Sequence, residues 1–186
     1  MTMTLERPAE AETPVTDPAA APEAEGETKP RDLLIIDYSG DLEKVWATMI
    51  LASTGAAMGV KTRVFVTFWG LPAFVKDSKR ITGDNWMQKM MSAMQRPGIS
   101  HRKLSTMNFL GMGPWMMGKL AKQYNVASPK ELLEIAQAMG VEFMPCQMTM
   151  DMFGLKREDF IEGMGEPVGA ATVIGFLSEG SASLFI

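Results

Sequence analysis

The sequence predicts an α/β domain of three layers, a mostly parallel sheet of roughly four to five strands flanked by helices. Three observations carry this reading. Two short apolar runs, Asp32–Tyr38 and Thr62–Phe68, enclose one helical pattern over Leu42–Met58. A third run, Val141–Met144, follows further helical patterns. Strand, helix, strand within about 35 residues is a βαβ unit, and its crossover sets the two strands parallel.

Residues 1–31 stand apart. They are rich in Ala, Glu, Pro and Thr and hold few large apolar side chains. Such a stretch buries too little surface to offset the entropy of ordering, so a disordered tail is expected. The domain then spans 32–186.

Asp32–Tyr38 is nearly continuous in apolar residues, as expected of a strand covered on both faces. Ser39-Gly40-Asp41 is a turn, and either Ser39 or Asp41 suits a helix N-cap. The helix over Leu42–Met58 stops at Gly59. Thr62–Phe68 is β-branched and aromatic, hence the second strand. A short helix is expected over Ala73–Lys79 and a clearer one over Asp84–Gln95, where Trp86, Met87, Met90, Met91 and Met94 share one face. Residues 96–113 read as loop, and Pro114 opens a helix running to about Tyr124. Ser128 and Glu131 form a capping box for a helix ending at Met139-Gly140. After the third strand, helices are expected over Lys156–Glu162 and Val168–Ser178. Ala182–Ile186 closes the sheet.

Composition narrows the function. The formal charge is −4 and the pI is near 5.1, so no concentrated basic surface exists for nucleic acid. The short basic stretch Arg96–Lys103 is diluted by Pro97, Gly98 and Ser100. A single cysteine cannot form an intramolecular disulfide, which suits a reduced, cytoplasmic protein. One cysteine and one histidine also exclude a Cys/His zinc cluster. No secretory h-region is visible. The longest charge-free run, between Lys44 and Lys61, is too short to span a bilayer and reads as a buried helix. No cofactor is expected.

Open α/β sheets present reactive groups beyond the carboxyl ends of their strands. Cys146 falls there, behind Pro145. In the segment Cys146-Gln147-Met148-Thr149-Met150-Asp151-Met152, an extended chain aims Cys146, Met148, Met150 and Met152 the same way. That row of soft sulfur atoms has three readings: a Cu(I) site, an apolar collar shielding a persulfide, or ordinary buried filler around an inert thiol. The residues alone leave all three open. Asp151 would raise the thiol pKa if it faced the sulfur, and Lys156 or a helix N-terminus would lower it.

The segment Cys146–Gly154 (CQMTMDMFG) resembles the cysteine motif of the DsrE/DsrF/DrsH-like family, in its longer type with a methionine-rich insertion, here around 84–118. Tyr38–Leu42, Phe65–Leu71, Lys103–Met117 and Leu184–Ile186 are similar to that branch in the same order. The resemblance covers Asp32–Ile186. It implies an α/β sulfur-relay protein, a homo-oligomer, with TusA-like and rhodanese-like sulfurtransferases as partners. It assigns to Cys146 the role of sulfur acceptor, holding a persulfide or thiosulfonate. Some family members are labelled peroxiredoxin-like, but this chain has no second cysteine to resolve a sulfenic acid.

Met148, Thr149, Met150 and Asp151 are expected to line the site. Ser39 and Gly40 follow a strand and suit a small anion pocket, although capping explains them equally. Gly111 and Gly113 suit a lid over the sulfur site better than a nucleotide loop, because the G-x-G-x-x-G pattern is incomplete. His101 reads as a proton donor to the thiolate or, in its basic loop, as a solvated residue. The 18 methionines include the Trp86–Met94 stripe, with Met107, Met112, Met116 and Met117 downstream. They suit subunit or partner contact, since too few Lys and Arg lie near for membrane-surface binding.

Overall fold

The computed structural model describes residues 32–79, 85–94, 96–106 and 108–186. The expected tail, 1–31, lies outside them. Four parallel strands, β1 (Leu33–Asp37), β2 (Thr62–Val66), β3 (Glu142–Pro145) and β4 (Ala182–Phe185), form one sheet in the order β3-β2-β1-β4. Each lies on an expected strand. β2 is buried along its whole length, as a central parallel strand must be when both faces are covered. β4 is an edge strand and is exposed throughout.

Alternate side chains sort to opposite faces of the sheet. Ile35, Val64, Val66 and Phe143 pack with Val45 and Met49 of α1 (Leu42–Ala57) and with Leu133 of α4 (Pro129–Ala138). Leu34, Phe65, Met144 and Cys146 turn the other way and pack with Val173 of α6 (Ala170–Ser178). The result is the expected three-layer α/β fold. Each such large side chain contributes about 1.5–3 kcal/mol through burial.

The helix starts follow local chemistry. The Glu131 amide donates to Ser128 Oγ at 3.3 Å, and the Ser128 amide donates to the Glu131 carboxylate at 2.7 Å. This is the expected capping box. Asp41 occupies the N-cap position of α1, but neither Asp41 nor Ser39 caps the helix amides. The Asp41 carboxylate instead accepts from Ser39 Oγ and from Lys44 Nζ, each at 3.0 Å. The methionine-rich stretch supplies α2 (Trp86–Met94) and α3 (Met112–Gln123). Trp86, Met87 and Met90 are exposed. The side chains of Met91 and Met94, and all of Met107, lie outside the described residues.

Three expectations are corrected. No helix forms over Ala73–Lys79; a 3-10 turn occupies Phe68–Phe74, and Val75 then bridges Phe160 in antiparallel fashion. That bridge, with Ile161 N–H donating to the Phe74 carbonyl at 3.0 Å, also stops the helix expected over Lys156–Glu162. Only a 3-10 turn, Arg157–Asp159, remains there. The third correction concerns the segment after Cys146. It is not extended but forms a helix, α5 (Gln147–Phe153).

Candidate functional site around Cys146

Register fixes where the thiol stands. Asp37, Val66 and Pro145 lie side by side at the carboxyl end of the three paired strands. The chain leaves that line at Tyr38, Thr67 and Cys146. The Cys146 amide donates to the Val66 carbonyl at 2.9 Å, which continues the ladder one step. α5 begins at the next residue, so Cys146 occupies its N-cap position. On the other side Val168 brackets it: Val168 N–H donates to the Pro145 carbonyl at 3.0 Å, and Gln147 N–H donates to the Val168 carbonyl at 3.1 Å. Cys146 is 4% exposed.

Burial pushes the Cys146 thiol up, but hydrogen bonds outweigh it. The Thr149 hydroxyl and amide, the Thr67 hydroxyl and the Met148 amide all favour the thiolate, so the pKa lies below its ordinary value. The two hydroxyls are 3.1 Å apart and buried. Phe68 N–H donates to Thr149 Oγ1 at 3.3 Å, which leaves the Thr149 proton available to the sulfur. A buried thiol held toward its ionised form by fixed donors is a nucleophile in waiting.

The helix redistributes the expected methionine row. Met150 is buried in the core on the α1 side of the sheet, while Cys146 belongs to the cluster beneath α6. Met148, 62% exposed, and Met152 lie on the outer surface. The four sulfur atoms therefore do not line one wall. Asp151 is exposed, and its carboxylate accepts from Gln147 Nε2 at 2.8 Å; it contributes nothing to the thiol's shift. Thr149, in the first turn of α5, is the expected site residue that touches the sulfur.

Ser39 and Gly40 stand at the same end of the sheet, one strand away. A Cβ on Gly40 would collide with the Trp69 carbonyl oxygen, so glycine allows this turn to close against the turn after β2. Gly111 has φ 98° and opens α3, and Gly113 is buried within it. α3 lines a cavity of about 920 Å³ with Trp46 of α1 and Pro129 of α4. Among the described residues no hydrogen bond or core packing joins Gly111 or Gly113 to Cys146. His101 Nδ1 lies 3.0 Å from the Pro97 carbonyl oxygen and 3.6 Å from Asp77, in an exposed loop.

Two neighbours escape sequence reasoning. Thr67 reads only as a strand residue, because its partner Thr149 is 82 positions away. Asp37 reads as a strand end, yet it is fully buried. Among the described residues no group of three or more His, Cys, Asp or Glu side chains is placed to hold a metal ion. No helix there is long and apolar enough to cross a membrane.

Comparison with known proteins agrees with the motif. The model of the DsrE/DsrF/DrsH-like family matches residues 29–185. The chain is 36% identical over 152 residues to the uncharacterized protein YrkE of Bacillus subtilis, covering 82% of this chain and 94% of that protein. It is 35% identical over 159 residues to the sulfur carrier protein DsrE2 of Allochromatium vinosum, covering 84% and 98% respectively. A solved structure, the ychN protein from E. coli, is similar at a TM-score of 0.49 with 12% identity, covering 84% of this chain and 99% of that one. The family match over most of the length, together with two relatives above a third identical, places this chain in the DsrE/DsrF/DrsH-like family.

Proposed function

We propose that the protein is a sulfur carrier that holds sulfane sulfur on Cys146 and passes it between partner proteins. The observation that supports this most is the thiol's setting: the only cysteine of the chain stands at the carboxyl end of the sheet with two hydroxyls and two amides favouring its thiolate. The sulfur-relay role of the family and the relative named a sulfur carrier support the same reading.

The chemistry balances without a cofactor. The Cys146 thiolate attacks the outer sulfur of a donor persulfide, R–S–SH. A Cys146–S–SH bond forms and the donor leaves as its thiolate. An acceptor thiolate then attacks the outer sulfur, which restores the Cys146 thiolate. With tetrathionate the same attack leaves a thiosulfonate on Cys146 and releases thiosulfate. The donors around the sulfur stabilise the thiolate both before attack and as the leaving group.

In this reading TusA-like and rhodanese-like sulfurtransferases supply or accept the sulfur, in a reduced cytoplasm. Homo-oligomer formation is part of it: the β4 edge is exposed, with Phe185 at 70%, and an exposed strand edge without charges is a pairing surface. The Cu(I) alternative is weakened, since α5 separates Met150 from Met148 and Met152. The test is intact mass after incubation with polysulfide or tetrathionate, with Cys146→Ala as control. Sulfur adducts confined to the unmodified sequence are expected. An accessible thiol that gains no sulfur would overturn the proposal.

A further inference from the structure

Asp37 is the one acid among the described residues whose two side-chain oxygens are both buried without a sound hydrogen bond. It lies under the turn that follows β2. A Cβ on Gly70 would sit 2.7 Å from the Asp37 carbonyl oxygen and 3.0 Å from Oδ1, so only glycine lets the turn close over the acid. The turn is fastened to this strand end by main-chain bonds, Thr67 N–H to the Asp37 carbonyl at 2.9 Å and Gly70 N–H to the Tyr38 carbonyl at 3.1 Å. Two residues of the same turn carry the support of the thiol: Thr67 supplies one hydroxyl, and Phe68, at φ 43°, donates its amide to Thr149.

We infer that Asp37 is a positioning residue for Cys146: neutral, it keeps the Thr67–Gly70 turn seated against Thr149, and when it ionises the turn shifts and the sulfur loses its hydroxyl support. An ion in that place must find water or a donor, and the turn is what separates it from solvent.

Burial pushes the Asp37 pKa up to about 7, and the Ser39 amide pulls it the other way. The charged groups on the surrounding elements are engaged elsewhere. On α1, Glu43 accepts from Ser105, and Lys44 pairs with Asp41. Arg102 donates to the Gly98 and Arg96 carbonyls and feels Asp41. The turn Phe68–Phe74 carries no charge. On the β4 side the Ile186 main-chain oxygen accepts from the Tyr38 amide.

The inference rests on Cys146 as the sulfur-bearing residue, but its readout uses no sulfur donor, so a failure of sulfur loading and a failure of the coupling are told apart. The rate of Cys146 alkylation by iodoacetamide is measured against pH in the full chain, in the wild type and in Asp37→Asn. In the wild type the thiol pKa rises as Asp37 ionises, so through neutrality the thiolate fraction, and with it the observed rate, falls short of a single-ionisation curve by about fivefold. Asp37→Asn follows a single thiol ionisation. Superimposable profiles would overturn the inference. Should Asp37→Asn fail to fold, carbon-13 NMR of the Asp37 carboxyl decides, because coupling is reciprocal. Its titration midpoint moves between the wild type and Cys146→Ser; an unmoved midpoint contradicts the coupling.

Discussion

The hydroxyls of Thr67 and Thr149 lie 3.1 Å apart, buried together, one beyond the end of β2 and the other in the first turn of α5. Together with the Thr149 and Met148 amides they hold Cys146 below its ordinary pKa against the opposing effect of burial. Thr149→Val keeps the shape and removes the donor. The thiol pKa then rises, and alkylation at neutral pH slows by about tenfold, the worth of one hydrogen bond to a charged group. Thr149→Ser retains the rate. Stopped-flow alkylation against pH measures both.

Cover, as well as ionisation, governs this thiol. Val173 of α6 and the Val168 bridge close over it. Val173→Ala opens that side, so reaction with a bulky aromatic disulfide quickens by about tenfold, while a small haloacetamide changes by no more than about twofold. The ratio of the two rates is the measurement.

The buried acid gives stability a pH dependence of known sign. Its pKa is near 7 when folded and 3.8 as the ordinary value, so the native state keeps a proton that the unfolded chain releases. The contribution is complete below the lower value and is lost as pH rises through the upper one. It amounts to at most about 4 kcal/mol. Urea unfolding at roughly pH 5 and pH 8 shows the wild type losing stability relative to Asp37→Asn at the higher pH.

Gly40 and Gly118 make opposite predictions from the same substitution. Gly40→Ala drives a methyl into the Trp69 carbonyl oxygen and costs about 1–3 kcal/mol. Gly118 lies within α3, where nothing stands within 4 Å of an added Cβ, so Gly118→Ala stabilises by about 0.5–1 kcal/mol. Thermal unfolding orders the three proteins.

The sheet was legible because its strands are short apolar runs bounded by turn residues, and the place of Cys146 followed from the end of β3. α5 was not legible. It has only seven residues, too few for helical periodicity to show, and its alternating methionines imitate a strand. Its N-cap is a cysteine rather than a recognised capping residue, so no start signal marks it. The failed helices at 73–79 and 156–162 share one cause, the bridge between Val75 and Phe160, a contact between distant residues that no local pattern encodes. Thr67 and Asp37 were hidden for the same reason: what each does depends on a turn from another strand.

In the proposed function, sulfur passes through Cys146. The most direct measurement loads the protein with polysulfide, removes the donor, adds a TusA-like acceptor and follows both intact masses. The acceptor is expected to gain sulfur as Cys146 loses it, and Cys146→Ala neither to load nor to transfer. A loaded protein that keeps its sulfur, or an acceptor that gains as much from Cys146→Ala, would contradict it.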